Sequence, residues 1–271
     1  MQSTKIEWVR NSDGTQGKTW NPITGCSKVS FGCTNCYAER MAKRLAGRYG
    51  YPKDSPFRVT FHPERLEKPL RYKKPRRIFV SSMGDFFHWD VKPEWIDAVL
   101  DVMAACPQHT FIILTKRPEF IDDKLYEPMK RWPVRKLGPG DFLSNLMLGV
   151  SVEDQPTADK RIPELLKIPA AKHIISIEPM LGPVNVRKYL YSYTWIGNPI
   201  KGAHDLHVGK MIKWVILGGE TGPGARPMHP DWARAVRDQC KASGTAFFFK
   251  QMSGKAPIPE DLMIREFPYP G

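Results

Sequence analysis

Six short apolar runs, each ending in polar or glycine-rich residues, limit how this chain can fold. They are RIFVSSMGD (77–85), TFIILTKRP (110–118), LMLGVSVED (146–154), HIISIEPMLG (173–182), KWVILGGETG (213–222) and TAFFFKQ (245–251). Continuous runs of this length, rich in Ile, Val and Phe, suit strands buried on both faces. Amphipathic segments of helical length lie between them. Glu94–Ala105 carries Trp95, Ile96, Val99, Leu100 and Met103 at helical spacing, and His229–Ala242 opens with a proline and an aspartate suited to a first turn. Strand alternating with helix implies parallel strands joined by crossovers. A weaker seventh strand is expected at Lys18–Ile23, and a helix at Tyr37–Arg48, where Met41 and Leu45 stand four apart. Six or seven such units favour an α/β barrel of the (β/α)6-7 TIM-like type, partial or near-complete, over an open doubly wound sheet.

In such barrels the chemistry gathers at the C-terminal ends of the strands. Here those ends carry Asp85, Thr115, Lys116, Arg117, Ser151, Glu153, Glu178, Glu220, Lys250 and Gln251. An ordinary core needs no such set. Lys116 and Arg117 suit a carboxylate or phosphate, or equally a water-facing strand end. Glu178 and Lys250, by position, suit polar contacts to substrate or proton transfer. One domain is expected over 1–254, with inserted loops at about 50–76 and 191–212 and a proline-rich tail, 255–271, packed along the surface.

Five cysteines are present. Cys106 and Cys240 stand alone within helical patterns and read as small core residues. The other three, Cys26, Cys33 and Cys36, crowd into CSKVSFGCTNC on the loop 24–37. An odd total with three together does not read as a disulfide framework. Thiolates suit zinc or iron–sulfur clusters. A closed structural zinc site takes four protein ligands, so three cysteines fall one short unless His62 or His88 joins them. Zinc, an iron–sulfur cluster and inert thiols all remain open on spacing alone.

Lysines and arginines number 41 against 28 acids, a net charge of +13, with clusters at Arg40–Arg48 and in RYKKPRR. That balance points to a polyanionic partner, or to a solvated basic face. No apolar run approaches the roughly 20 residues that a membrane span requires. The N-terminus MQSTKIEWVR carries no leader pattern, so a reducing cytoplasm is expected.

The cysteine triplet at the first strand–helix junction of a six-unit α/β chain resembles the radical S-adenosylmethionine (SAM) superfamily. More closely, TWNPITGCSKVSFGCTNCYAERMA, RRIFVSSMGDFFH, LGVSVED, ISIEPMLGP and VILGGETGPGARPMHPDW resemble a largely phage-encoded family with a distinctive three-cysteine motif. The superfamily's common spacing has three residues, then two, between its cysteines, whereas this chain has six, then two. The aromatic usually found before the last cysteine is replaced by Asn35, and Tyr37 follows.

The resemblance implies that Cys26, Cys33 and Cys36 ligate a [4Fe-4S] cluster whose fourth iron binds SAM. It implies SAM contacts from Ser82, Gly84 and Asp85, with Asp85 accepting from the amino group. Further cofactor contacts follow for Tyr37, Ser151, Glu153 and Gly219, and substrate contacts for Lys116, Arg117 and Glu220; Glu178 and Lys250 are catalytic candidates on position alone. The implied reaction modifies or isomerises a modified nucleobase, for instance an amino-acid-decorated thymine in phage DNA. A repair lyase, an RNA or peptide modifier and a non-catalytic zinc-bearing nucleic-acid module are the alternatives. Implied partners are DNA and a reducing donor such as a flavodoxin or ferredoxin. The implied setting is the host cytoplasm if the chain is phage-encoded, and Phe86, Phe87, Trp89, Tyr193 and Trp195 are candidate base platforms.

Overall fold

The structure, a computed structural model, describes residues 1–125, 144–168, 172–196, 205–254 and 256–268, with the side chains of 192–196 and 205–210 left out. In chain order its strands are β1 (Gln2–Ser3), β2 (Lys18–Trp20), β3 (Ile23–Thr24), β4 (Thr60–Phe61), β5 (Arg77–Val80), β6 (Thr110–Thr115), β7 (Leu146–Val152), β8 (Lys172–Ile177), β9 (Tyr191–Ile196), β10 (Asp205–Lys210), β11 (Ile212–Leu217) and β12 (Ala246–Phe249). The helices are α1 (Tyr37–Arg44), α2 (Pro93–Ala104), α3 (Gln155–Lys167), α4 (Arg187–Leu190) and α5 (Pro230–Ser243).

Eight strands form one sheet in the order β1-β2-β5-β6-β7-β8-β11-β12. Only β1 runs antiparallel to its neighbour; every other pairing in this sheet is parallel. All seven expected strands are therefore present, side by side. Each parallel strand adds to the same side of the one before it, without the reversal of a doubly wound sheet. Among the described residues, however, no register joins β12 to β1 or β2, so the sheet is open and no closed barrel is seen.

The two faces of the sheet differ. One carries Ile78, Phe111, Ile113, Leu148, Val150, Ile175, Val215 and Phe249, covered by Ile96, Val99 and Leu100 of α2, Ile162 and Leu165 of α3, and Val236 and Cys240 of α5. The opposite face carries Ile112, Met147, Ile174, Trp214, Ile216 and Phe248, closed over by Trp8 and Val9 and by Phe267. Both faces are buried, which is why the strands read as continuous apolar runs rather than as alternation.

Several local expectations are corrected. The helix from Tyr37 stops at Arg44, because the chain turns through left-handed Gly47 and Tyr49. Cys106 is buried but lies just past the end of α2. The 191–212 insertion contains the antiparallel pair β9–β10. The side chains of Tyr193 and Trp195 lie outside the described residues. The 50–76 segment holds β4 and short 3-10 turns, tied down where Trp20 Nε1 donates to the Arg65 carbonyl at 2.8 Å.

The tail is not a loose appendage. Trp214 Nε1 donates to the Glu266 carbonyl at 2.9 Å, Arg265 bridges to Phe248, and Leu262 is fully buried.

Candidate active site

The loop bearing the three cysteines lies across the C-terminal ends of the parallel strands. Its stem is fixed by backbone pairing: Gly25 N donates to the Met83 carbonyl at 2.9 Å and Cys26 N to the Phe57 carbonyl at 3.0 Å. Gly25 has φ +90°, and a Cβ there would meet the Arg58 carbonyl oxygen at 2.2 Å, so only glycine fits before the first cysteine. Cys33 ends a 3-10 turn, Phe31–Cys33, and Cys36 is the N-cap residue of α1. All three thiols are free and half-buried.

Cys26 is gripped by an arginine. Arg117, 1% exposed, donates from Nη1 to Cys26 Sγ at 3.2 Å and to Asp85 Oδ2 at 3.0 Å. Its Nη2 donates to the Ser27 carbonyl at 2.7 Å and to Ser27 Oγ at 3.0 Å. The Trp89 ring lies 4.9 Å from the guanidinium carbon. Asp85, itself buried, also accepts from Phe87 N, Thr115 Oγ1 and Lys116 N. Burial and the Asp85 charge push the Cys26 thiol up to about 12. At Cys33 burial works the same way, but the nearby Lys116 and local hydrogen bonds outweigh it and lower that thiol's pKa.

Two further carboxylates sit under the loop. Glu153, 1% exposed, accepts from Ser30 Oγ at 2.9 Å, from Lys116 Nζ, and from Arg161 Nη1 at 2.9 Å. A Cβ on Gly32 would lie 2.3 Å from Glu153 Cγ, so loop and carboxylate are in close apposition. Glu220 accepts from Asn35 Nδ2 at 3.0 Å and from the backbone and guanidinium of Arg226. Burial opposes its ionisation, but the Arg226 hydrogen bonds prevail and hold it at about 2.

The remaining expected residues sit nearby. The Tyr37 hydroxyl donates to the Ser82 carbonyl, and Ser82 Oγ donates to Asn21 Oδ1 at 3.1 Å. Gly84 bridges to Gly25, and Gly219 exchanges hydrogen bonds with Gln251. The alternation of β7 places Ser151 on the Met147 face, where it is half-buried. Glu178 and Lys250 pair at 2.5 Å, with Gln251 Nε2 donating to the same Glu178 oxygen at 3.1 Å. Among the described residues, no hydrogen bond joins this pair to the cysteine loop.

Sequence reasoning missed Ser30, Arg161 and Arg226 as parts of the site. Arg226 lay in view within GARPMHP. Arg161 belongs to α3, a helix hidden by Pro156 and Pro163 and revealed locally only by the Asp154–Thr157 capping box. Phe86 and Phe87 are fully buried, whereas Trp89 is 49% exposed and borders a cavity of about 420 Å3 that also touches Cys26, Ser27, Lys28, Arg58 and His88.

Among the described residues, no three His, Cys, Asp or Glu side chains converge closely enough to hold one metal ion. His88 Nε2 pairs with Ser27 Oγ at 2.8 Å and His62 Nε2 with Thr24 Oγ1 at 2.8 Å. A [4Fe-4S] cluster asks for a different arrangement, since each thiolate holds a separate iron. Three free thiols on one loop are a donor set that fits it.

Residues 3–261 match a protein family described as a protein of unknown function, DUF5131. The chain belongs to the DUF5131 family. No curated protein and no solved structure matches it. Among the described residues of this DUF5131 protein, no helix is long and apolar enough to cross a membrane.

Proposed function

We propose that this protein is a radical SAM enzyme built on a TIM-like, incompletely closed barrel, with Cys26, Cys33 and Cys36 as the ligands of a [4Fe-4S] cluster. The observation that carries the reading is the seating of three free, half-buried thiols on one loop across the C-terminal ends of parallel strands. When bound, the cluster supplies the electron that splits SAM into methionine and a 5′-deoxyadenosyl radical.

The chain's own residues bind, orient and exclude water. Lys116, Glu153 and Arg161 form a buried ionic group beneath the loop. Glu178 and Lys250 form a second pair, about a quarter exposed, able to hold a proton or meet a polar substrate group. Ser82, Gly84, Ser151 and Gly219 supply polar groups and close backbone approach between them, suited to SAM.

The substrate on this reading is a modified nucleobase, such as an amino-acid-decorated thymine in phage DNA, within the host cytoplasm. The +13 charge supports a nucleic-acid partner, and a flavodoxin or ferredoxin supplies the electron.

Metal and sulfide analysis of protein purified without air tests the reading, followed by incubation with SAM, reductant and modified phage DNA. Brown protein with matched iron and sulfide, and deoxyadenosine on turnover, is the expected result. Colourless protein with a single tightly held zinc would overturn it.

A further inference from the structure

An arginine is a costly residue to bury unless its donors are met by partners. Arg117 is 1% exposed and has one carboxylate partner, Asp85. A plain ion pair would have used the guanidinium fork on both carboxylate oxygens. Instead Nη1 is shared between Asp85 Oδ2 and Cys26 Sγ, and Nη2 turns wholly to Ser27. Asp85 in turn is saturated: each of its oxygens accepts two hydrogen bonds, from Phe87 N and Thr115 Oγ1 on one and from Lys116 N and Arg117 on the other. Four is about the full acceptor capacity of a carboxylate. Asp85 therefore has an occupation within the fold, which is to aim Arg117 at the first cysteine.

We infer that Asp85 and Arg117 form a relay that orients Cys26 and raises the reduction potential of the metal group held there. The inference rests on the cluster reading above. A hydrogen bond and a positive charge at a ligating sulfur withdraw electron density from the iron and favour its reduced state. The effect is asymmetric among the three ligands. Cys33 has the Ser30 hydroxyl at 3.7 Å, backbone hydrogen bonds and the nearby Lys116 charge, but Arg117 is the one guanidinium bonded to a cysteine sulfur among the described residues. Arg117 is thus a positioning and tuning residue. Lysine in its place keeps the charge but loses the fork that spans carboxylate and thiol.

The test compares wild type, Arg117→Lys and Arg117→Gln, each reconstituted anaerobically with iron and sulfide. Iron content and far-ultraviolet circular dichroism come first, then a potentiometric titration followed by electron paramagnetic resonance. The expected result is full iron in all three, with the midpoint potential more negative in Arg117→Lys and more negative still in Arg117→Gln. A purely structural arginine would lower the melting temperature and leave the potential in place. Full iron with unmoved potentials overturns the relay and leaves the proposed function standing. A wild type that holds no iron and sulfide overturns both. Should Arg117→Gln fail to fold, the potential of Arg117→Lys decides.

Discussion

Asn35, one residue before the last cysteine of the triplet, donates its side-chain amide to Glu220, 185 positions further along the chain, at 3.0 Å. The same carboxylate is held by Arg226, which also donates to the Phe31 carbonyl at 3.0 Å and lies 4.4 Å from the Phe31 ring. The loop after β11 is thus a clamp on the cysteine loop. Arg226→Ala leaves the buried Glu220 charge without its main partner. Breaking a buried pair in this way costs about 3–5 kcal/mol, and urea denaturation should read a loss of that order. Faster hydrogen exchange confined to residues 31–36 should appear under conditions where the rest of the protein stays folded.

Acid should weaken the fold in two separate windows. Burial and the nearby Arg65 hold His62 at about 4, below its unfolded value of about 6.5. As pH falls between those values, the unfolded chain takes a proton that the native state refuses, so stability falls and then levels off. Glu220 acts with the same sign in a lower window. Its native value of about 2 lies below the unfolded value of about 4.3, so its contribution is complete above that value and is lost as pH falls toward 2. Urea midpoints measured against pH should show both slopes. His62→Gln should remove the upper one only, and Glu220→Gln the lower.

Much of this fold is legible from the chain because a sheet covered on both faces leaves uninterrupted apolar runs. Trp214 and Val215 are neighbours on opposite faces and both are fully buried. What the runs cannot give is their ends. RIFVSSMGD reads as one strand, yet β5 stops at Val80 because Ser81 turns into the left-handed region at φ +52°. That turn is what swings Asp85 back beneath Cys26. The site was legible as a list of strand-end residues but not as pairs, since Lys116–Glu153 and Asn35–Glu220 depend on which strands are neighbours. Helix α3 escaped because its prolines mask its periodicity, and Arg161 escaped with it. Closure of the sheet was the expectation least readable from sequence, because an open and a closed sheet share the same alternating pattern.

The five cysteines should separate into two classes under substitution. Cys33→Ala and Cys36→Ala are expected to abolish iron binding while the melting temperature of metal-free protein stays near wild type, since both positions are half-buried on a surface loop. Cys240→Ser places a hydroxyl at a fully buried site among apolar neighbours. An unpaired buried hydroxyl costs about 1–3 kcal/mol, so this variant should lose stability and keep its iron. Iron analysis alongside thermal unfolding reads both classes, and loss of iron in Cys240→Ser with intact Cys33 and Cys36 would contradict the assignment.

Glu178 and Lys250 lie at the ends of β8 and β12, on either side of β11, and each keeps about a quarter of its side chain open to solvent. That exposure separates them from Glu153 and Asp85, which are buried beneath the loop. A pair made only for stability gains little at such exposure, so Lys250→Ala should change the urea midpoint slightly. Loss of a positioned acid or base costs typically 10²–10⁴ in rate, and turnover of the nucleobase substrate should fall by about that factor in Lys250→Ala and in Glu178→Gln. Reductive cleavage of SAM does not require either residue on this assignment. Deoxyadenosine should therefore still form in both variants, uncoupled from product, and chromatography of the two species in one reaction distinguishes a substrate-handling pair from a cofactor-binding one.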